Sequence, residues 1–194
     1  MLRQVVRQEK SIGFDIGRLK RRMGYTLAKK LADQLVEELS PYCTRIEIAG
    51  SLRRKMADVG DIEIVAMPGD FAEGMLGCIL PEAKFIKNGP RYKQIALPEE
   101  INLDLFLVRP PAQWGVIFLL RTGPADFSRL AVTRRIQGGL LPSDCAVRFG
   151  GVQRNGITMV MPEEEDFLNL IGLPGLAPEK RADVAHRLFE ERKW

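Results

Sequence analysis

The sequence predicts an α+β protein in two parts: a small mixed sheet with helices on one side, followed by a smaller α+β unit. Three observations carry this. Short apolar runs rich in Ile, Val and Leu cluster between residues 45 and 108, as strands do. Leucines recur every fourth residue over 25–39, as in an amphipathic helix. Pro110-Pro111 then interrupts the pattern, and helical spacing dominates after it.

In chain order, the first helix spans 25–39, with Leu27, Leu31, Leu35 and Leu39 turned to the sheet and charged residues opposite. Ser40-Pro41 ends it, because proline lacks an N–H and disfavours helix in the residue before it. Strands are expected at 45–49, 61–66, 84–87, 92–97 and 101–108, with a helix near 71–80. Beyond the prolines, 113–121, 126–137 and 163–171 read as helices, 145–149 with 156–161 as a short hairpin, and 178 to about 192 as a last helix.

With 194 residues and 45% hydrophobic side chains, the chain can build a core as one domain or two small subdomains. Lys+Arg 29 against Asp+Glu 25 gives a formal +4, which permits a polyanionic partner without requiring one. Charge position says more. Residues 1–23 include Arg3, Arg7, Lys10, Arg18, Lys20, Arg21 and Arg22 against Glu9 and Asp15, a basic arm suited to a nucleic-acid backbone or simply a solvated face. Cys43, Cys78 and Cys145 have no metal-like spacing and apolar neighbours, so they read as reduced thiols in a cytoplasm-like compartment. No apolar stretch approaches a membrane span. His186 is the single histidine, which argues against a Ser-His nucleophile or a multi-histidine metal site.

The chemistry concentrates in 46–65. Asp61 and Glu63 are two apart in an alternating strand, so both carboxylates face the same way. Two such charges repel unless a cation lies between them. Just upstream, Gly50-Ser51 at a tight turn, followed by Arg53-Arg54, offers backbone N–H groups, a hydroxyl and a guanidinium to phosphate oxygens. Asp104 interrupts the apolar run 101–108, and a neighbouring strand carrying Asp61 and Glu63 would let three carboxylates meet around metal. The joint reading is a nucleoside triphosphate bound through magnesium, with two-metal phosphoryl transfer as the chemistry.

These residues resemble the family X DNA polymerases, within the polymerase beta-like nucleotidyltransferases. Gly50-Ser51-Leu52-Arg53-Arg54, Gly60-Asp61-Ile62-Glu63, Leu103-Asp104-Leu105-Phe106 and Thr122-Gly123-Pro124 occur in the family's order; 167–174 with Pro178-Glu179-Lys180-Arg181 echo its C-terminal end. The resemblance runs from about residue 25 to about 181. It implies a catalytic palm at 24–110 and, at 111–194, a C-terminal subdomain that contacts nucleotide and DNA. It implies two magnesium ions, with manganese as the substitute, held by Asp61, Glu63 and Asp104, which form the catalytic set. It further implies triphosphate contacts from Ser51, Arg54 and Gly60, nucleotide contacts from Leu120, Arg121, Thr122, Gly123 and Ser128, and DNA contacts from Arg129, Arg134 and Arg135. A cis peptide at Gly123-Pro124 belongs to the same pattern.

The expected activity is DNA-directed DNA synthesis on a primer 3′-hydroxyl, in gap filling or repair, by a monomer that binds DNA and a nucleoside triphosphate. Two features depart from the family. Glu63 stands where aspartate is usual, and Leu120-Arg121 replaces an aromatic pair that packs against the sugar. Many members begin with a helix-hairpin-helix domain that grips a 5′-phosphate; 23 residues cannot hold one, so no lyase activity by that route is expected. The competing readings are a template-independent or small-substrate nucleotidyltransferase, and a catalytically idle DNA-binding module. Arg53 is read as an ion-pair partner, and Asn88, Gly89, Arg91 and Lys93 as a small basic turn.

Overall fold

A computed structural model describes residues 22–69 and 84–191. The expected helix near 71–80, Cys78 and nearly all of the basic arm lie outside them. The element order is β1 (Met23–Gly24), α1 (Tyr25–Leu39), β2 (Cys43–Ile48), α2 (Gly50–Arg53), β3 (Asp58–Val59), β4 (Asp61–Pro68), β5 (Lys84–Asn88), β6 (Tyr92–Ala96) and β7 (Asn102–Leu107). The C-terminal half follows with α3 (Trp114–Thr122), α4 (Ala125–Val132), β8 (Cys145–Arg148), β9 (Gly151–Arg154), β10 (Ile157–Thr158), α5 (Glu164–Ile171) and α6 (Arg181–Glu190).

The main sheet has five strands in the order β2-β4-β7-β6-β5, mixed because β4 and β7 run parallel while the other neighbours are antiparallel. Alternation along the two central strands decides its layers. Ile62 and Ile64 of β4 and Leu103 and Leu105 of β7 bury one face beneath Ala28, Ala32, Leu35 and Leu39 of α1. The opposite face carries Glu63 and Asp104, and farther along it Val65, Phe106 and Val108 pack under Trp114 and Phe118 of α3. Thus α1 backs the sheet as expected, and α3 of the C-terminal half covers part of the other face. The C-terminal half has its own core, with Phe127, Leu141, Val152 and Phe167 at its centre.

Two elements differ from expectation. The helix expected over 126–137 stops at Val132, where Thr133 turns extended (ψ 131°), and a 3-10 turn at Arg135–Gln137 follows. The expected hairpin is a three-stranded meander. Its first turn falls at Phe149 and Gly150, both in the left-handed region (φ 53° and 80°), which places β9 inside what reads as a loop. Gly123–Pro124 is cis, as the resemblance implies, and so is Pro110–Pro111. Among the described residues no helix is long and apolar enough to cross a membrane.

Candidate active site on the open face of the sheet

The carboxylates owe their common face to strand pairing. Glu63 is the direct register partner of Asp104 across the parallel β4–β7 pair, and Asp61 precedes Glu63 by two residues. The buried isoleucines and leucines between them lock this register, since a one-residue slip would turn Ile62 and Ile64 outward. The side chains nevertheless do not converge. Among the described residues no group of three or more acidic, histidine or cysteine side chains is gathered as a metal site. Glu63 instead leans on α2, and Asp104 Oδ1 accepts hydrogen bonds from the Tyr92 hydroxyl and Gln94 Nε2, each at 3.0 Å. The expected meeting of three carboxylates is therefore realised as a shared face and not as a closed cage.

That arrangement is electrostatically costly for Glu63. Burial and the neighbouring Asp61 charge, with a smaller push from Asp104, raise its pKa to about 7, although Arg54 and Arg121 pull the other way. Chemically the set suits a hard divalent cation: three carboxylates on one face, one of them held well above its ordinary range by burial and its neighbours.

The anion cradle begins where β2 ends. Gly50 sits at φ +59°, and a Cβ there would fall 1.7 Å from Glu63 Oε2, so both backbone and space require glycine. Arg53 N–H and Arg54 N–H donate to Ala49 and Gly50 carbonyls, closing one turn and leaving the preceding N–H groups outside the helical ladder. Ser51 Oγ is buried with no hydrogen-bond partner among the described residues. Such an orphan is uncommon in a folded protein and fits a hydroxyl waiting for a phosphate oxygen. Ser51, Arg54, Gly60, Asp61 and Glu63 line one cleft of about 390 Å³, shared with Arg22. A larger cleft of about 540 Å³, between the start of α1 and the β6–β7 turn, shares Arg22 but carries Glu99 and Glu100 and none of Ser51, Arg54, Gly60, Asp61 or Glu63. The smaller one gathers the buried Ser51 hydroxyl, a guanidinium and two carboxylates, the polar groups of the candidate site.

Arg54 is only partly available. Its guanidinium donates to the Thr122 carbonyl, and burial lowers its pKa, offset in part by Glu63 and Asp61. Gly60 lines the cleft, but a Cβ at that position would meet nothing within 4 Å, so its glycine has no steric explanation there.

Several of the residues expected at the nucleotide have partners within the protein. Thr122 is fully buried and its hydroxyl accepts from Arg53 Nη1 at 2.7 Å. Leu120 packs against the C-terminal core. Ser128 Oγ donates to the Leu120 carbonyl at 2.8 Å, tying α4 to α3. Gly123, at φ +67°, shapes the turn around Arg54. These four are positioned by packing, which the local sequence does not reveal. Arg121 remains exposed, its guanidinium 4.2 Å over the Phe106 ring, and its charge is felt by Glu63. Of the expected DNA contacts, Arg129 pairs with Asp126 at 3.0 Å, Arg134 meets Gln137 at 3.4 Å and Arg135 donates to the Leu140 carbonyl at 3.1 Å. All three stay exposed. In the expected basic turn Lys93 is buried and donates to Asn88, leaving Arg91 exposed.

Arg53 faces away from the cleft. It forms a two-pronged pair with Glu164 (2.8 and 2.6 Å) and lies 4.0 Å over Phe118. Arg181, with no exposed surface, approaches the same Glu164 at 2.9 Å. Burial alone would raise the Glu164 pKa, but the hydrogen bond from Arg53 and the charges of both arginines hold it below its ordinary value. Tyr92, Gln94 and Glu164 are functional-looking residues that sequence reasoning missed. The signal for the first two was their alternation with Lys93 and Ile95, legible only once β6 is known to pair with β7.

Comparison with known proteins adds no assignment: no family model matches the chain, and no curated protein matches it.

Proposed function

We propose that the chain is a metal-dependent nucleotidyltransferase that adds nucleotides from nucleoside triphosphates to the 3′-hydroxyl of a DNA primer, in gap-filling or repair synthesis. One observation carries this reading: Glu63 and Asp104 are register partners on two parallel strands, with Asp61 on the same face, beside a cleft lined by the unsatisfied Ser51 hydroxyl and Arg54. Asp61, Glu63 and Asp104 would hold magnesium or manganese, which neutralises triphosphate charge and activates the primer hydroxyl when bound.

The protein's own share follows from its geometry. Ser51 Oγ and the start of α2 receive phosphate oxygens, and Arg54, anchored on Thr122, adds positive charge at the cleft wall. Arg121 supplies a second positive charge that acts on Glu63. Asp104 Oδ2, to which no protein group donates among the described residues, accepts the primer hydroxyl's hydrogen. The exposed Arg129, Arg134 and Arg135 meet the DNA backbone, giving affinity that falls with salt.

The test is extension of a labelled primer on a gapped duplex with magnesium, supplying each deoxynucleotide and each ribonucleotide separately. Incorporation dictated by the template base is expected. Addition regardless of template would assign the site to terminal transfer, and no extension with any nucleotide would remove the polymerase reading.

A further inference from the structure

We infer that Tyr92 and Gln94 are positioning residues for Asp104, and that Arg121 of the C-terminal half holds Tyr92 in place through Phe106. β6 lies antiparallel beside β7, so Gln94 sits directly opposite Asp104 and Tyr92 opposite Phe106. Both donors therefore reach one oxygen, Oδ1, at 3.0 Å. Two donors on a single oxygen fix the side-chain torsions of an aspartate and leave Oδ2 as its working atom. Gln94 alone would leave the carboxylate plane free to tilt; the phenol removes that freedom.

Tyr92 is itself confined. Its ring stacks on Phe106 with centroids 5.1 Å apart and planes 19° off parallel. The Arg121 guanidinium covers Phe106 at 4.2 Å, and Lys87 Nζ lies 5.5 Å from the Tyr92 ring centroid. The result is a row, Lys87, Tyr92, Phe106, Arg121, whose last member belongs to α3. The seating of the C-terminal half on the sheet thereby reaches the orientation of Asp104. Guanidinium stacking on an aromatic face is geometry that lysine does not reproduce, so the row depends on arginine at 121.

The inference rests on the proposed metal site, and its kinetic consequence also on the proposed reaction. Tyr92→Phe keeps the ring and its stack and deletes the donor. Manganese binding to the full chain, read by electron paramagnetic resonance, is expected to weaken about tenfold or more, as for other groups that orient a metal ligand. Its thermal midpoint should stay within a few degrees of wild type. Arg121→Lys keeps the charge toward Glu63 but loses the stack; it should weaken manganese binding in the wild-type background and add nothing to Tyr92→Phe. In single-turnover extension, Tyr92→Phe should lower the maximal rate about tenfold while nucleotide affinity changes less than about twofold. Unchanged manganese affinity in Tyr92→Phe, or a wild-type chain that binds no manganese, overturns the inference. Additive effects of the two substitutions overturn the part played by Arg121. A wild type that binds manganese yet transfers no nucleotide sinks the proposed function instead, and the resonance measurement alone then decides the positioning role.

Discussion

Glu63 is confined between Gly50 and two other carboxylates, and its pKa of about 7 against an ordinary 4.5 means that the folded protein holds a proton there which the unfolded chain has released. Because the folded-state value is raised, the contribution of Glu63 to stability is most favourable below about pH 4.5 and declines as pH climbs from there to about 7, whereas carboxylates held low, such as Glu164, lose theirs only in more acid solution. The total loss is on the order of 3 kcal/mol. Thermal melts of the metal-free protein should show this decline, and Glu63→Gln should flatten it; a slope that persists in the glutamine variant would assign the proton to another group. Gly50→Ala combines a left-handed backbone with a collision against Glu63 and is expected to cost more than about 1 kcal/mol in urea unfolding. At this scale the three carboxylates were legible because alternation needs only the local sequence. Tyr92 and Gln94 were not, since their partner Asp104 lies on another strand. For Leu120, Thr122 and Ser128 a motif names positions but not the tertiary neighbours that pack against or hydrogen-bond to them.

Elements were legible where periodicity and punctuation agreed. Helix α1 begins and ends as its leucine stripe and Ser40-Pro41 predict, yet Leu27 is 60% exposed while Ala28 and Ala32 are buried. A four-residue spacing overshoots one helical turn by about 40°, so a stripe of leucines drifts and the alanines take over the contact. The meander's second turn, Asn155-Gly156, carries the usual signal, but the first puts Phe149 in the left-handed region ahead of Gly150, an aromatic position that reads as strand. The contact between α5 and α6 is the element-scale feature with the largest expected penalty. Glu164 joins Arg53 of α2 to the wholly buried Arg181 of α6, and removing the carboxylate strands a buried cation. Glu164→Ala should destabilise by about 3–5 kcal/mol, read as a lowered urea midpoint. A loss under about 1 kcal/mol would mean that water reaches Arg181.

Across the whole molecule, two apolar cores are joined by a third at the sheet–α3 contact, and polar ties reinforce the join: Arg45 to Glu163 at 2.8 Å, Arg53 to Glu164, and Arg54 to the Thr122 carbonyl. The boundary at Pro110-Pro111 was visible in composition. The way Arg45, Arg53 and Arg54 reach across it was not, because ion pairs between distant segments leave no local pattern. Two of these three arginines belong to the phosphate-like motif, so the same short segment supports both the cleft and the join. Under the proposed function, DNA affinity should drop steeply between low and physiological salt, and the triple change of Arg129, Arg134 and Arg135 to Gln should reduce that salt slope by about 2 to 3 in log–log units, measured by fluorescence anisotropy. The most direct measurement is magnesium-dependent extension of a gapped primer by wild type, Asp61→Asn and Asp104→Asn, each verified as folded by circular dichroism. Template-directed extension by wild type, with both variants reduced at least a thousandfold, is the predicted result; either variant within tenfold of wild type would contradict a catalytic role for the carboxylate face.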